Sequence, residues 1–394
     1  MKNLIYFLAF ICSITIFFQI SSFGLNLGNG YYGILIVIFA ILLIIGKSNR
    51  FNTLMIWLTF AVLISISFNE IPSFFKPYER FVAFLIVMGL VGPMIRNSAL
   101  QKFRVLLFKM LKVLIVTMVI ISFLGIAVGL PSMVGRGGFV GFFNHSMTLS
   151  PMAAIAMLIC INWANTSKNK KKRYFFLALA AISFITCLAA GSRAALLAGL
   201  AGGLFFYYKV NQGNLSRYLR VIMFTIAVGI LSFPLWESYT ERIMGKMAFA
   251  EEQGDLLVTR EALWTIRVLE FEKSPIYGVG FAAVDTSLTD KYDEKDGKIE
   301  PGSSWLAVLS MVGLLGFIPL ILLLLGYLKF LYQDKIMKQH SALLGALLIL
   351  CIVHMMAEGY VFSAGSGMFF IFWFIMGLIE QTKKFKLNMK NSII

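Results

Sequence analysis

The sequence predicts an all-α membrane protein of about twelve transmembrane helices, with one large extracytoplasmic loop containing short amphipathic helices. Three observations predict it. Of 394 residues, 59% are hydrophobic and only 14% charged, against about 45–50% and about 25% in soluble globular chains. So few charges cannot cover a water-facing surface, which excludes a soluble enzyme, and so apolar a chain is not a disordered protein. Apolar runs of roughly the length that crosses hydrocarbon, about 20 residues, recur from end to end, and the loops between them alternate in charge.

The runs lie near 3–22, 31–46, 51–68, 79–95, 113–130, 144–164, 174–190, 194–208, 219–236, 304–328, 341–357 and 364–380. The first has a single lysine, Lys2, no small-residue cleavage site and another span close behind, so it reads as an anchor rather than a signal peptide. With Lys2 inside, the inner loops hold Lys47 and Arg50, Arg96 to Lys112, Lys168 to Arg173, Lys209 to Arg220, Lys329 to Lys338 and Lys383 to Lys390. With Lys2 added, these carry 23 of the 35 Lys and Arg. The outer loops hold Glu70, Glu79 and fourteen residues between Glu237 and Glu300, or 16 of the 19 acids. Both termini are therefore expected in the cytoplasm. The net charge of +16 becomes a topology signal, with anionic phospholipid of the inner leaflet as its partner and no nucleic acid. Cys12, Cys160, Cys187 and Cys351 all sit in apolar runs, which indicates neither a disulfide framework nor a zinc site.

Three regions follow: 1–236 with nine spans, 237–303 as the large loop, and 304–394 with three spans and a basic tail. The loop carries fourteen acidic residues against eight basic ones. It shows helical periodicity from Asp255 to Lys273, the turn Ser274-Pro275 and the run Tyr277-Gly278-Val279-Gly280-Phe281. No internal repeat of the inverted-repeat transporter kind is visible.

Arg193 is the most informative single residue. From Tyr174 to Tyr208 the chain is apolar apart from Gly191-Ser192-Arg193. One helix of that length would measure roughly 52 Å against about 30 Å of hydrocarbon, so two short helices in a hairpin are expected, with Arg193 at the outer apex. An arginine there is costly unless it meets water or an anion. It is either a snorkelling interfacial residue or an anion clamp. In the loop, Arg260, Trp264, Arg267 and Phe271 share a helix face. Their guanidinium forks suit phosphate oxygens, although the same face fits an amphipathic helix lying on the bilayer. His145 follows a glycine-rich stretch around Arg136, and His354 and Glu358 lie four apart near the outer end of a span, where they could simply satisfy each other. Glu300 stands where the loop re-enters the membrane. No calcium loop, P-loop, zinc motif or nucleophile elbow occurs, and no metal is called for.

This arrangement resembles the O-antigen ligase and polymerase superfamily, bacterial membrane glycosyltransferases that act on undecaprenyl-diphosphate-linked glycans. Three stretches carry the resemblance: Gly191-Ser192-Arg193-Ala194-Ala195; Arg260-x-x-x-Trp264 with Pro275 and Gly278-x-Gly280; and Ser303-Ser304-Trp305 leading into Gly313-Leu314-Leu315-Gly316. Arg136 to His145 and Glu358 also look like family positions, and the likeness covers roughly 130–380. It implies a metal-independent, cofactor-free inverting transfer in the bacterial cytoplasmic (inner) membrane, with the polyprenyl diphosphate as leaving group and a chain-length regulator as a further partner. Arg193 and Arg260 match arginines that hold the diphosphate, with Arg267 and Arg136 as further diphosphate-binding candidates. Glu300, Glu358 and His145 are the catalytic candidates. Ligases of the superfamily carry a histidine near the end of the loop, where this chain reads Lys298-Ile299-Glu300-Pro301-Gly302-Ser303-Ser304. That departure favours a repeat-unit polymerase over a ligase acting on lipid A-core. A flippase or transporter for the same lipid-linked unit, and a non-catalytic scaffold, are the readings from other classes.

Overall fold

The computed structural model describes residues 2–22, 27–28, 30–129, 133–135, 138–212, 214–240, 243–245, 248, 258–289, 292–293 and 298–391. Each of the twelve apolar runs coincides with a helix. In chain order these are α1 (Lys2–Ile20), α2 (Gly30–Ile45), α3 (Thr53–Ser67), α4 (Pro77–Leu90), α5 (Ser98–Val128), α6 (Ser146–Thr166), α7 (Lys170–Ala189), α8 (Arg193–Val210) and α9 (Leu215–Leu231). The short α10 (Phe233–Trp236) continues the ninth run, and α11 (Val258–Lys273) lies in the large loop. After it come α12 (Ser304–Gln333), α13 (Lys338–His354) and α14 (Gly367–Asn391). Among the described residues, five helices (α1, α5, α6, α7 and α12) are long and apolar enough to cross a membrane, and α2, α3 and α13 are shorter apolar helices. The chain is a multi-pass, all-α membrane protein. Its strands are two-residue antiparallel ladders, Arg50–Phe51 with Ile95–Arg96, Val134–Gly135 with Gly138–Phe139, and Tyr292–Asp293 with Lys298–Ile299.

The hairpin forms where the sequence places it. Gly191 adopts φ +73°, the left-handed conformation that glycine reaches without steric cost, and Ser192 caps α8 by accepting from the Ala195 amide at 3.3 Å. Beyond the turn, α8 packs chiefly along α13. A Cβ at Gly202 would stand 2.6 Å from the Ala346 carbonyl oxygen, so a small residue there lets the two backbones approach, as helix pairs in membranes commonly require.

One expected loop is helical. The stretch from Arg96 to Lys112 reads as an inner loop, yet α5 begins at Ser98, its amino end capped by Asn97 accepting from Leu100 at 2.7 Å. Arg104 is buried and donates to the carbonyls of Gly89, Leu90 and Ile95 at 2.9–3.0 Å. Through Gly89 and Leu90 it satisfies acceptors at the carboxyl end of α4. Charge counting places such residues on one side of the membrane but does not separate a loop from a helical extension.

The large loop is anchored to the bundle by two interlocking glycine motifs. α12 breaks at Gly313 (φ 60°, ψ −165°), which frees backbone groups that 275–279 then engage. Leu314 donates to Pro275 O at 2.8 Å, Leu315 to Ile276 O at 3.0 Å, and Val279 to Ser310 O at 2.8 Å. Neither glycine has room for a side chain: a Cβ on Gly278 would lie 2.3 Å from Met311 C, and one on Gly313 2.3 Å from Ile276 O. Phe281 then inserts into the core, its ring 5.2 Å from Phe362 and 6.2 Å from Phe84 between centroids. Behind it, Ala283 and Val284 bury against Phe75.

Gly278→Ala is therefore expected to destabilise the fold by at least about 1–3 kcal/mol, the cost of forcing a non-glycine residue into the left-handed region, with the backbone clash in addition. Thermal unfolding of the purified protein in detergent reads this, and a wild-type melting curve would contradict the interlock.

Candidate functional site

The site is built where α12 enters the bundle and α13 leaves it. The Ser304 amide, at the start of α12, donates to the carbonyls of Met355 (2.9 Å) and Glu358 (3.1 Å). Its hydroxyl donates to Glu358 O at 2.7 Å and accepts from the Tyr360 amide at 2.9 Å. The orphan donors of one helix start thus meet the orphan acceptors of another helix end. Trp305 donates to Ile352 O at 3.3 Å. The Ser303-Ser304-Trp305 stretch is the seam that holds Glu358 in place.

Arg260, on the loop helix α11, reaches this seam. Its Nη2 donates to Glu358 Oε1 at 2.6 Å and its Nη1 to Glu300 Oε1 at 3.1 Å. The arginine and Glu358 side chains are only 17% and 19% exposed, whereas Glu300 is 61% exposed. Three residues singled out in sequence, 40 and 98 positions apart, therefore form one cluster. The loop exit closes over it. Gly302 takes φ +71° and its carbonyl accepts from the Trp264 indole at 3.5 Å.

Arg267 shares the inward face of α11, as the spacing predicts, but is 2% exposed and holds the loop through its Nη1. It donates to Glu270 Oε2 at 2.7 Å, Ala283 O at 3.1 Å and Ser310 Oγ at 3.3 Å. Burial lowers its pKa against the opposing pull of Glu270. Glu270 in turn accepts from the Asp285 amide at 2.7 Å. On the outer side Lys273 pairs with Asp285 at 2.5 Å. Burial pushes the Asp285 carboxyl up, but hydrogen bonds from Lys273 and Ser287 outweigh it and leave its pKa below the usual value.

Arg193 opens α8 and is half-buried. Its guanidinium makes no hydrogen bond or ion pair among the described residues. Because Gly202 lies against Ala346 and Gly345 against Phe205, α8 and α13 run antiparallel. Counting about nine residues along each, roughly 13 Å at about 1.5 Å per residue, sets Arg193 level with Met355, at the end of the bundle where Glu358 lies. His145 is exposed and serves as the cap of α6, its Nδ1 accepting from the Met147 amide at 3.0 Å. Arg136 lies outside the described residues. His354 is buried, stacks on Tyr360 at 5.6 Å between centroids, and its Nδ1 has no hydrogen-bond partner among the described residues. The Glu358 carboxylate is directed at Arg260.

A cavity of about 190 Å³ borders the cluster. Pro301 and Gly359, the neighbours of Glu300 and Glu358, form part of its wall, and Arg80 of α4 forms another. Sequence reading passed over Arg80, because one cation at the start of an apolar run is what any interfacial anchor looks like. Its significance depends on contacts far apart in the chain.

Residues 177–321, a little over a third of the chain, match the O-antigen ligase family model. The match takes in Arg193, Arg260, Arg267 and Glu300, and ends before Glu358. No curated protein matches the sequence.

Two variants separate holding from binding. Arg267→Ala strands the buried Glu270 carboxylate and is expected to cost about 3–5 kcal/mol, read as early unfolding in detergent, whereas Arg193→Ala changes stability by no more than about 0.5 kcal/mol. Equal melting of the two proteins would refute this division. The Lys273–Asp285 pair adds a pH signature. The carboxyl pKa is depressed below 3.8 in the folded protein, so the stabilisation is full above that value and is lost as pH falls through the folded pKa. The melting-temperature gap between wild type and Asp285→Asn should hold steady down to about pH 4 and close below it.

Proposed function

We propose that this chain, whose residues 177–321 match the O-antigen ligase family model, polymerises lipid-linked oligosaccharide repeat units at the outer face of the bacterial cytoplasmic membrane. The donor is a glycan on undecaprenyl diphosphate, and the acceptor is the non-reducing end of another lipid-linked unit. The observation that carries this reading is the Arg260 cluster, with two carboxylates on one arginine and, at the same end of the bundle, Arg193, which has no partner among the described residues.

The chemistry follows from exchanging partners on that arginine. The donor diphosphate carries more negative charge than one carboxylate and offers the forked oxygens that guanidinium groups grip best. When it engages Arg260 and Arg193, Glu358 is released beside the reacting centre. The acceptor hydroxyl oxygen then attacks the anomeric carbon as the bond from that carbon to the phosphate oxygen breaks. The bonding pair leaves on the diphosphate, and the hydroxyl proton passes to the freed carboxylate. One displacement inverts the anomeric carbon. Glu358 suits the base role better than the mostly exposed Glu300, because a partly dehydrated site strengthens such interactions. The arginines stabilise charge as it builds on the leaving group. Arg267 acts at one remove by fixing α11. Arg136 is retained as a further diphosphate ligand and His145 as a base of lower rank, since its Nδ1 already caps a helix.

The absence of a histidine from the whole loop favours polymerase over ligase. A transporter would place ionisable groups near the bilayer midplane, whereas these gather at one end. At the opposite end, Lys109, Lys112 and His340 line a second cavity suited to the headgroups of anionic lipid.

Arg193→Ala and Arg260→Ala should each cut long-chain product about 100-fold or more with expression retained. Arg193→Lys should be impaired as well, because a point charge lacks the fork. Reconstitution with a synthetic diphosphate-linked repeat unit, with ladders resolved on a gel, measures all three. Wild-type chain length in either alanine variant would contradict the clamp. In cells, deletion should leave single repeat units, whereas accumulated polymer with unmodified core would mark a ligase.

A further inference from the structure

We propose that the cavity at the end of the bundle opposite the Arg260 cluster binds the headgroup of a phosphoglycerol lipid, an inference that rests on the anionic-lipid part of the reading above and names the lipid class. The cavity lies between α5, α13 and α14 and is lined by Lys109, Lys112, His340, Gln381 and Thr382. His340 is near the start of α13, whose other end leads to Glu358. That helix therefore separates the two sites by roughly 21 Å, the rise from His340 to His354 at about 1.5 Å per residue.

Three basic side chains gather there. Lys109 and Lys112 are three apart on α5, a spacing at which like charges on a helix repel. Lys109 acts electrostatically on Lys112, and Lys112 on His340. Neither lysine has an ion pair among the described residues. Lys112 is half-buried, with its ammonium 4.8 Å from the centroid of the Phe108 ring. Asp334, the carboxylate that acts on His340, is buried and accepts from the Ser341 hydroxyl at 2.5 Å and the Ile336 amide at 3.2 Å. Lys112 immediately precedes the apolar run near 113–130, so the cluster stands at the edge of hydrocarbon, where like charges are costly until an anion joins them.

Hydrogen bonding asks for more than charge. The Thr382 hydroxyl donates to Leu378 O at 2.8 Å, so at its 3.3 Å contact with His340 Nε2 it accepts, and the imidazole is held to α14 with a proton on Nε2. Gln381 Nε2 donates to Gln101 O at 3.1 Å, which fixes the orientation of that amide. Its Oε1 is buried and has no hydrogen-bond partner among the described residues. A buried acceptor calls for a donor. An ionised phosphodiester has none to give, whereas a glycerol esterified to it brings hydroxyls. An ethanolamine headgroup would also donate, but it sets a cation among three bases.

A lipid is favoured over a soluble phosphate ester by the surface beside the lysines. Val113, Thr117, Ile121, Leu124 and Val128 are exposed and follow Lys109 along one face of α5 at intervals of three or four residues. From Val113 to Val128 this stripe rises roughly 22 Å, more than half of the about 30 Å hydrocarbon core, which seats an acyl chain of one leaflet. The cavity volume of about 220 Å³ falls below the roughly 300–1,000 Å³ of pockets for drug-sized ligands and suits a single headgroup.

The test titrates purified full-length protein in neutral detergent with dioctanoyl lipids and reads binding by calorimetry. Phosphatidylglycerol is expected to bind at least about 10-fold more tightly than phosphatidylcholine, the worth of one hydrogen bond to a charged group. Lys112→Gln should weaken phosphatidylglycerol about 10-fold and leave phosphatidylcholine unchanged. Lys112→Arg, which keeps the charge, should retain most of the affinity and shows that the fold is intact. Gln381→Met should weaken phosphatidylglycerol and leave phosphatidic acid, which lacks the glycerol headgroup, unchanged. Glycerol 3-phosphate should bind at least about 10-fold more weakly than phosphatidylglycerol, because it buries no acyl chain. Equal binding of phosphatidylglycerol and phosphatidylcholine, or wild-type affinity in Lys112→Gln, overturns the site. Equal loss of both anionic lipids in Gln381→Met overturns the phosphoglycerol assignment, and glycerol 3-phosphate binding as tightly as the lipid overturns the lipid source. None of these titrations involves a glycan, and ladder formation by the same preparation tests the polymerase reading, so the failure of one is told apart from the failure of the other.

Discussion

Arg260 holds two carboxylates at once, and the rest of the site depends on that imbalance. Its partners come from the exit of the large loop and from the end of α13, so one guanidinium joins three segments. Removing it would leave the largely covered Glu358 carboxylate without its partner and beside that of Glu300, which is unfavourable in itself. The cluster nevertheless keeps one negative charge more than it neutralises. On the proposed mechanism it accepts a stronger anion by trading partners, and the traded carboxylate becomes a free base beside the reacting centre.

Aiming that arginine requires a rigid loop, and the loop is made rigid by features that do no chemistry. Gly278 and Gly313 allow backbone to meet backbone at the break in α12. Phe281 wedges between α4 and the segment before α14, and Arg267 with Glu270 fastens α11 to the same region. A shift of the order of 1 Å in the position of a catalytic group can cost about 100-fold in rate. Buried polar contacts such as these matter to function through the position they impose on Arg260.

Much of the fold was legible because apolar runs, turn residues and caps are local signals. All twelve runs are helices, the break at Gly191-Ser192-Arg193 is a hairpin, and the shared face of Arg260, Trp264 and Arg267 is turned inward. The extension of α5 through Arg104 was missed, since a charged helical turn and a charged loop have the same composition. At the site, residue types were readable and partnerships were not. Glu300 and Glu358 are recognisable as carboxylates at the membrane edge, but their meeting on Arg260 spans much of the chain. His354 and Glu358 at helical spacing suggested a local pair. Tertiary contact instead gives Glu358 to Arg260, while His354 stacks on Tyr360.

The central claim is that substrate diphosphate takes Arg260 away from Glu358. A double-mutant cycle on Arg260→Ala and Glu358→Ala, read by thermal unfolding with and without saturating farnesyl diphosphate, addresses it most directly. The account predicts a coupling of about 1 kcal/mol or more in the free protein, within the range for contacting charged pairs, that disappears in the bound state. A coupling that is absent from the start, or that survives binding undiminished, would contradict it.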